Sequence, residues 1–348
     1  MNCRNMGLTS PFFRSGMQNL ITDVPGVKVG HCTVNQGSSH TGLTVIVPVP
    51  EERPTIYEEK LVAACHVQNG FGKTAGLIQI EELGTLETPI VLTNTLNVGK
   101  VSDALIGHMI DLEQKHGIAV RSINPVVGEC NDSSINEISD RILGREELEA
   151  AFSSASSDFA QGAVGAGTGT ICFGFKGGIG SASRIVRVGK ETYTFGLLVQ
   201  SNFGRMDCLT VNGRAAGKAI AEQLKQDALP DRGSIMMILA TDCPLTSRQL
   251  KRILRRVPNG LARLGGYTGH GSGEVVIGFS TAARIREQTE PQMLAVYPDR
   301  LLDPVFLAVT ELCEEAVLNS MLEAEGCTAL NQTEIHSLSE FPEFLIGK

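Results

Sequence analysis

The step from Gly233 to Ser234, followed by the apolar run Ile235 to Ala240, constrains this chain more than any other feature. A continuous apolar stretch of that length bounded by a glycine reads as a buried core strand, with the serine as its first residue. On spacing alone Gly233 is a loop glycine ahead of a strand. If the Gly233–Ser234 bond opened, Ser234 would carry a free α-amine beside its own hydroxyl. A nucleophile and a candidate base would then sit on one residue, the N-terminal-nucleophile form of covalent catalysis.

The rest of the chain supplies material for a layered fold around such a strand. Its 348 residues suit one large domain or two, and 42% hydrophobic residues provide for a sizeable core. Strands are predicted at Leu43 to Val47, Leu61 to Val67, Ile90 to Thr93, Gly196 to Gln200, Ser234 to Ala240 and Val275 to Ser280. Helices are predicted at Asp103 to His116, within 140–161, and at Ala215 to Lys225. Another is predicted behind a Thr246/Gln249 capping box, with Pro258 ending or kinking it. A long one runs from an Asp303 N-cap and Pro304 to about Leu322. Asp23 to Gly26, Asn69 to Gly76, Gly165 to Gly169 and Gly177 to Gly180 read as turns, residues 230–233 as an exposed loop, and the tail after Gly326 as loosely held. Strands and helices mixed throughout indicate an α/β or α+β layered fold.

Charge and cysteine usage narrow the function. The net charge of −8 argues against a general nucleic-acid binder. The densest basic cluster, Arg248, Lys251, Arg252, Arg255 and Arg256, alternates with Leu250, Ile253, Leu254 and Val257, as on the wet face of an amphipathic helix. Nine cysteines without a paired zinc-type spacing read as reduced thiols. Neither a signal peptide nor a membrane span is evident, so a soluble cytoplasmic protein is expected.

Familiar motifs are not completed. Gly72-Lys73-Thr74 resembles the end of a phosphate loop, but Val67 stands where the Walker pattern needs glycine. The segment Gly165 to Thr170 lacks the third glycine of a dinucleotide fingerprint. Gly271-Ser272-Gly273 is not a nucleophile elbow. The seven histidines lie far apart in sequence, and no metal or cofactor is expected.

Several stretches taken together resemble the L-aminopeptidase/D-alanine-esterase family, which includes the β-aminopeptidases. They are 21–31 (ITDVPGVKVGH), 84–95 (GTLETPIVLTNT), 165–169 (GAGTG), 172–180 (CFGFKGGIG), 199–204 (VQSNFG), 233–242 (GSIMMILATD) and 269–274 (GHGSGE). The resemblance spans roughly residues 18–325 in the same order. It implies an α-β-β-α-type sandwich shared with the ornithine acetyltransferases. It also implies a single interwoven domain over 1–348, made as a precursor and cut into 1–233 and 234–348, and a homo-oligomer, commonly a tetramer.

The resemblance also assigns roles. Ser234 would attack the Gly233 carbonyl in the precursor and the substrate carbonyl in the mature enzyme. Ser272 and Glu274 match the second serine and the glutamate near the nucleophile. Asn202 matches the oxyanion asparagine, a donor worth about 2.7–4 kcal/mol where well placed. Glu129 and Asp132, in 128–132 (GECND), match the active-site loop, and either carboxylate suits a substrate ammonium. After Asp132 the family has glycine–tyrosine, whereas this chain has Ser133 and Ser134, which implies a larger or wetter pocket at Ser134. The expected substrate is a small peptide, amino-acid amide or ester. The alternatives are an acyltransferase of the ornithine acetyltransferase kind, against which the serine in place of threonine counts, and an uncut, non-catalytic binding homologue.

Overall fold

A computed structural model describes residues 2–8, 12–50, 53–225 and 233–346. The chain opens with a hairpin, β1 (Lys28–Gln36) and β2 (Ser39–Val47), then β3 (Glu59–Gly70), α1 (Leu77–Leu83), β4 (Thr85–Leu86) and β5 (Ile90–Asn94). Next come α2 (Val98–Lys115), β6 (Val126–Cys130), α3 (Arg145–Ser153), and the short β7 (Ile171–Cys172) and β8 (Phe175–Lys176). A second long hairpin follows, β9 (Ile179–Val188) and β10 (Glu191–Asn202), then α4 (Ala216–Leu224) and β11 (Ser234–Thr241). The last third holds α5 (Ser247–Leu254), α6 (Asn259–Arg263), β12 (Gly273–Arg286), α7 (Asp303–Leu322), β13 (Cys327–Thr328), β14 (Glu334–Ile335) and α8 (Pro342–Leu345).

Two sheets carry the architecture, one in the order β1-β2-β5-β6 and the other β4-β3-β12-β11-β10-β9. The apolar run after Ser234 is the reason they stack. Along β11, Met236, Ile238 and Ala240 enter the core between the sheets with Val45, Val91 and Val127. Ile235, Met237 and Leu239 enter the opposite core with Leu250 of α5 and Val309 and Leu312 of α7. A strand apolar on both faces must be covered on both, and this one is. Leu105 and Met109 of α2 and Leu148 of α3 complete the other outer layer. The result is the α-β-β-α sandwich that the resemblance implies.

Tertiary partners shift several predicted elements. Helix α2 begins five residues before Asp103, because the Asn94 side chain accepts from Asn97 N–H (3.1 Å) and starts a 3-10 turn that leads into it. The N-cap of α7 is Leu302 rather than Asp303, one residue earlier than expected. Strand β9 starts at Ile179, inside the expected Gly177 to Gly180 turn, and is as long as it is because its buried polar residues have partners. Ser181 donates to Leu197 O (2.7 Å), and Arg184 pairs with Glu311 (3.3 Å) and Glu315 of α7. The tail is not loose: Leu338, Phe341 and Leu345 pack into the helix-side core. The capping box at Thr246 forms, and α5 ends at Leu254, with Pro258 at the start of α6. Of the expected loop 230–233, only Gly233 lies among the described residues. All nine cysteines are free thiols. Among the described residues, no helix is long and apolar enough to cross a membrane.

Candidate active site

The alternation of β11 places Ser234 on the face shared by Met236 and Ile238, toward the other sheet. Ser234 is buried and stands in register between Asn202 of β10 and Gly273 of β12. The N–H of Gly273 donates to the carbonyl oxygen of Gly233 (3.2 Å). That carbonyl belongs to the bond expected to be cut. A Cβ on Gly233 would lie 1.8 Å from the Asn202 carbonyl oxygen, so only glycine fits where the chain enters the sheet. Opposite, Cys130 of β6 is fully buried and donates through Sγ to Gln200 O (3.3 Å). Burial pushes its thiol well above the ordinary value, and the neighbouring Ser234 hydroxyl pulls the other way.

Ser272 and Glu274 flank Gly273, and both are buried. The Ser272 hydroxyl donates to Glu274 Oε1 at 2.5 Å, a short bond. The turn before them is held by a residue that the sequence did not reveal. Asn69, near the end of β3, donates through Nδ2 to the carbonyls of Ser272, Gly269 (3.1 Å) and His270 (3.3 Å).

Asn202 is oriented by its neighbour in space. Its Oδ1 accepts from the N–H of Ile171 (2.9 Å), which fixes the oxygen end of the amide and leaves Nδ2 as the donating end. Ile171 terminates a loop that is itself clasped from below. Lys176 is fully buried, and its Nζ donates to the carbonyls of Gly167 (3.0 Å), Thr170 (2.9 Å) and Gly177 (2.7 Å). Burial lowers this ammonium to about 8. At the other end of the loop, Ala166 N–H donates to Thr44 Oγ1 (3.1 Å), which contacts His31 Nδ1 (2.9 Å). His31 Nε2 meets Ala160 O (3.1 Å), so Nε2 carries the proton and Nδ1 accepts from Thr44. Burial lowers His31 to about 4. Lys176 and His31 were not singled out from sequence, where a lysine beside a glycine run or a histidine at a strand end looks ordinary.

The two candidate acids differ. Three of the five residues of the segment read as an active-site loop, 128–130, belong to strand β6, and Glu129 lies among them, buried. Its Oε1 accepts from Lys73 N–H (2.9 Å) and its Oε2 from the Thr95 hydroxyl. No basic side chain among the described residues pairs with it. Asp132 is more fully engaged. Thr41 Oγ1 (2.6 Å) and Asn94 Nδ2 (3.2 Å) donate to Oδ2, and Asn136 Nδ2 (3.0 Å) donates to Oδ1. Burial raises its pKa against the pull of those three donors. Ser134 is exposed, and its carbonyl accepts from Leu330 N–H (3.0 Å) of the C-terminal segment. Ser234, Gly233, Asn202, Ser272 and Glu274 therefore share one sheet end, with Glu129 arriving from the facing sheet.

Comparison with known proteins bears on the family and the fold. The family model described as Peptidase family S58 matches residues 19–335. The beta-peptidyl aminopeptidase BapA of Sphingosinicella microcystinivorans is 33% identical over 361 residues, covering 96% of this chain and 89% of that protein. The crystal structure of the PH0078 protein from Pyrococcus horikoshii OT3 is 44% identical, covers 99% of each chain and superposes with a TM-score of 0.91. An L-aminopeptidase D-Ala-esterase/amidase from Ochrobactrum anthropi is 33% identical. It covers 97% of this chain and 95% of its own, with a TM-score of 0.88. That enzyme is described as a prototype of the serine aminopeptidases and a variant of the Ntn hydrolase fold. With a family match over most of its length and these relatives above 30% identity, this chain belongs to peptidase family S58.

Proposed function

We propose that this peptidase removes amino-terminal residues from small peptides, amino-acid amides or esters through an acyl-enzyme on Ser234, after cutting its own backbone between Gly233 and Ser234. The observation that carries this reading is the Gly273 N–H on the Gly233 carbonyl, next to a nucleophile held in register between Asn202 and Gly273. A hydrogen bond to that oxygen polarises the carbonyl and receives the charge that builds on it during attack.

In the precursor, Ser234 Oγ attacks the Gly233 carbonyl carbon. The C–N bond to Ser234 breaks, its nitrogen takes the proton given up by the hydroxyl, and Gly233 is left as an ester on Oγ. Water then releases the Gly233 carboxylate and restores the hydroxyl. The new α-amine has an ordinary pKa of about 7.7–8.0, so a useful fraction is neutral near neutral pH. Either this amine or the hydrogen-bonded Ser272–Glu274 pair then serves as base, a contribution of about 10²–10⁴-fold.

In the mature enzyme the same oxygen attacks the substrate carbonyl, and the Asn202 NH₂ donates to the resulting oxyanion. Glu129 receives the substrate ammonium. Two donors already orient its carboxylate, lone pairs remain on both oxygens, and no basic side chain among the described residues neutralises it. Asp132 shapes the turn beneath it. The relatives' names point to β-peptides, L-amino-acid derivatives and D-alanine esters or amides as the substrates to try first. The resemblance of the sequence motifs to the aminopeptidase family, apart from those names, supports a homo-oligomer.

The test is a denaturing gel of purified protein with sequencing of the fragment ends. Two fragments of about 25 and 12 kDa, in proportion to residue number within a 37.2 kDa chain, are expected, the smaller beginning at Ser234. Ser234→Ala should leave one intact band and abolish turnover. A wild-type chain that hydrolyses amides while unbroken would overturn the proposal.

A further inference from the structure

We infer that Lys73 recognises the free carboxylate at the far end of the substrate, so that the enzyme favours short peptide acids, dipeptides above all, over the matching amides. This rests on the aminopeptidase reading and extends it to the leaving side of the scissile bond.

The topology brings Lys73 to the site. Gly70, the last residue of β3, is the register partner of Gly273, which is in turn the partner of Ser234. Gly70 therefore lies about two strand spacings, roughly 10 Å, from the nucleophile. From there the chain stays at the sheet end, pinned at three points. The Phe71 carbonyl packs so closely on Gly273 that a Cβ there would meet its oxygen at 2.6 Å. Lys73 N–H holds Glu129 Oε1 at 2.9 Å. Thr74 Oγ1 reaches Sδ of Met236 (3.4 Å), two residues beyond Ser234 on the same face. Each pin is an element already placed around Ser234.

The side chain of Lys73 is exposed, but it is not left to wander. Its Nζ rests 4.4 Å from the centroid of the Phe71 ring, a cation–π contact. That ring is 55% exposed and lies 6.3 Å from the ring of His270, in the turn before Ser272. No carboxylate among the described residues pairs with the Lys73 ammonium. The site thus has a buried acid without a cationic partner and, joined to it by one backbone hydrogen bond, a cation without an acid. One lysine side chain plus that bond separates the two charges. This is on the order of the ~7 Å that two extended residues span. A dipeptide presents an ammonium and a carboxylate at that separation. Its amide presents only the first.

The experiment compares kcat/KM for dipeptides and their C-terminal amides with alanine, leucine or β-alanine at the amino end, using the processed enzyme at low and high salt. The free acid should be favoured about three- to fivefold at low ionic strength, as for an exposed ion pair. The preference should shrink with added salt. Lys73→Met should bring the ratio to about one and Lys73→Glu should invert it, since both keep the backbone N–H on Glu129. Appearance of the two processing fragments reports that each variant folds. A wild-type enzyme without acid preference, or an unchanged ratio in Lys73→Met, overturns this inference alone. A processed wild-type enzyme that turns over none of these substrates overturns the aminopeptidase reading with it.

Discussion

At Gly233 a single missing methyl group decides how the chain enters the sheet. The atom that a Cβ would strike, the Asn202 carbonyl oxygen at 1.8 Å, belongs to the backbone and cannot swing aside. Gly233→Ala should therefore push the start of β11 off β10, lengthen the Gly273 N–H contact and slow processing. Intact chain would persist in a gel time course, with about 1–3 kcal/mol lost in denaturant titration. Asn202 offers a sharper test, because its two ends do different things. Asn202→Asp keeps an oxygen for the Ile171 N–H but exchanges the donating NH₂ for an acceptor. In protein that has been cut, kcat should fall about 10²–10³-fold, as for loss of one oxyanion donor. A conserved kcat in this variant would remove Asn202 from transition-state stabilisation.

At the scale of elements, the loop from Gly165 to Ile171 links the core to Asn202, and a buried lysine and a half-buried histidine hold it. Lys176→Met takes one donor from each of the Gly167, Thr170 and Gly177 carbonyls, of which the first keeps Thr170 Oγ1 and the second keeps Gly177 N–H, at a cost on the order of 1–3 kcal/mol. It should also lower kcat more than it raises KM, because Asn202 loses its support. His31 gives the same loop a pH dependence. Its folded value near 4 lies below the ordinary 6.5, so between these limits the unfolded chain binds a proton that the native one excludes. This contribution is complete above about pH 6.5 and is lost as pH falls toward 4. Urea midpoints measured across that window should decline, and His31→Asn should flatten the decline. Elements of this kind explain what was legible in the sequence. Strand β11 could be read because its apolar run needs no partner to declare itself. Strand β9 could not, since Ser181, Ser183 and Arg184 are polar residues made strand-like only by Leu197, Asp23, Glu311 and Glu315. For the same reason Ser234, Ser272, Glu274 and Asn202 were found through their motifs. Asn69 and Lys176 act by holding backbone carbonyls; Asn69 lies in no motif, and Lys176 lies in the stretch 172–180 with no role attached to it there.

For the whole molecule, the order of the larger sheet matters most. The strands that follow Ser234, β11 and β12, lie at its centre, with β10 and β9 on one side and β3 and β4 on the other. Helix α7 from the same piece covers β9 and β10, which belong to the other. The proposed scission after Gly233 would therefore free neither piece. The two fragments should elute together in native size exclusion and part only in denaturant. What the cut would remove is the tether that makes assembly of these strands a reaction within one molecule. Refolded from urea, Ser234→Ala should recover at a rate independent of protein concentration, whereas the nicked enzyme should recover slowly, in a concentration-dependent way, or not at all. A cut copy that came apart would then be a lost copy, and its working lifetime would be set by how rarely the central strands let go, a kinetic rather than an equilibrium endurance.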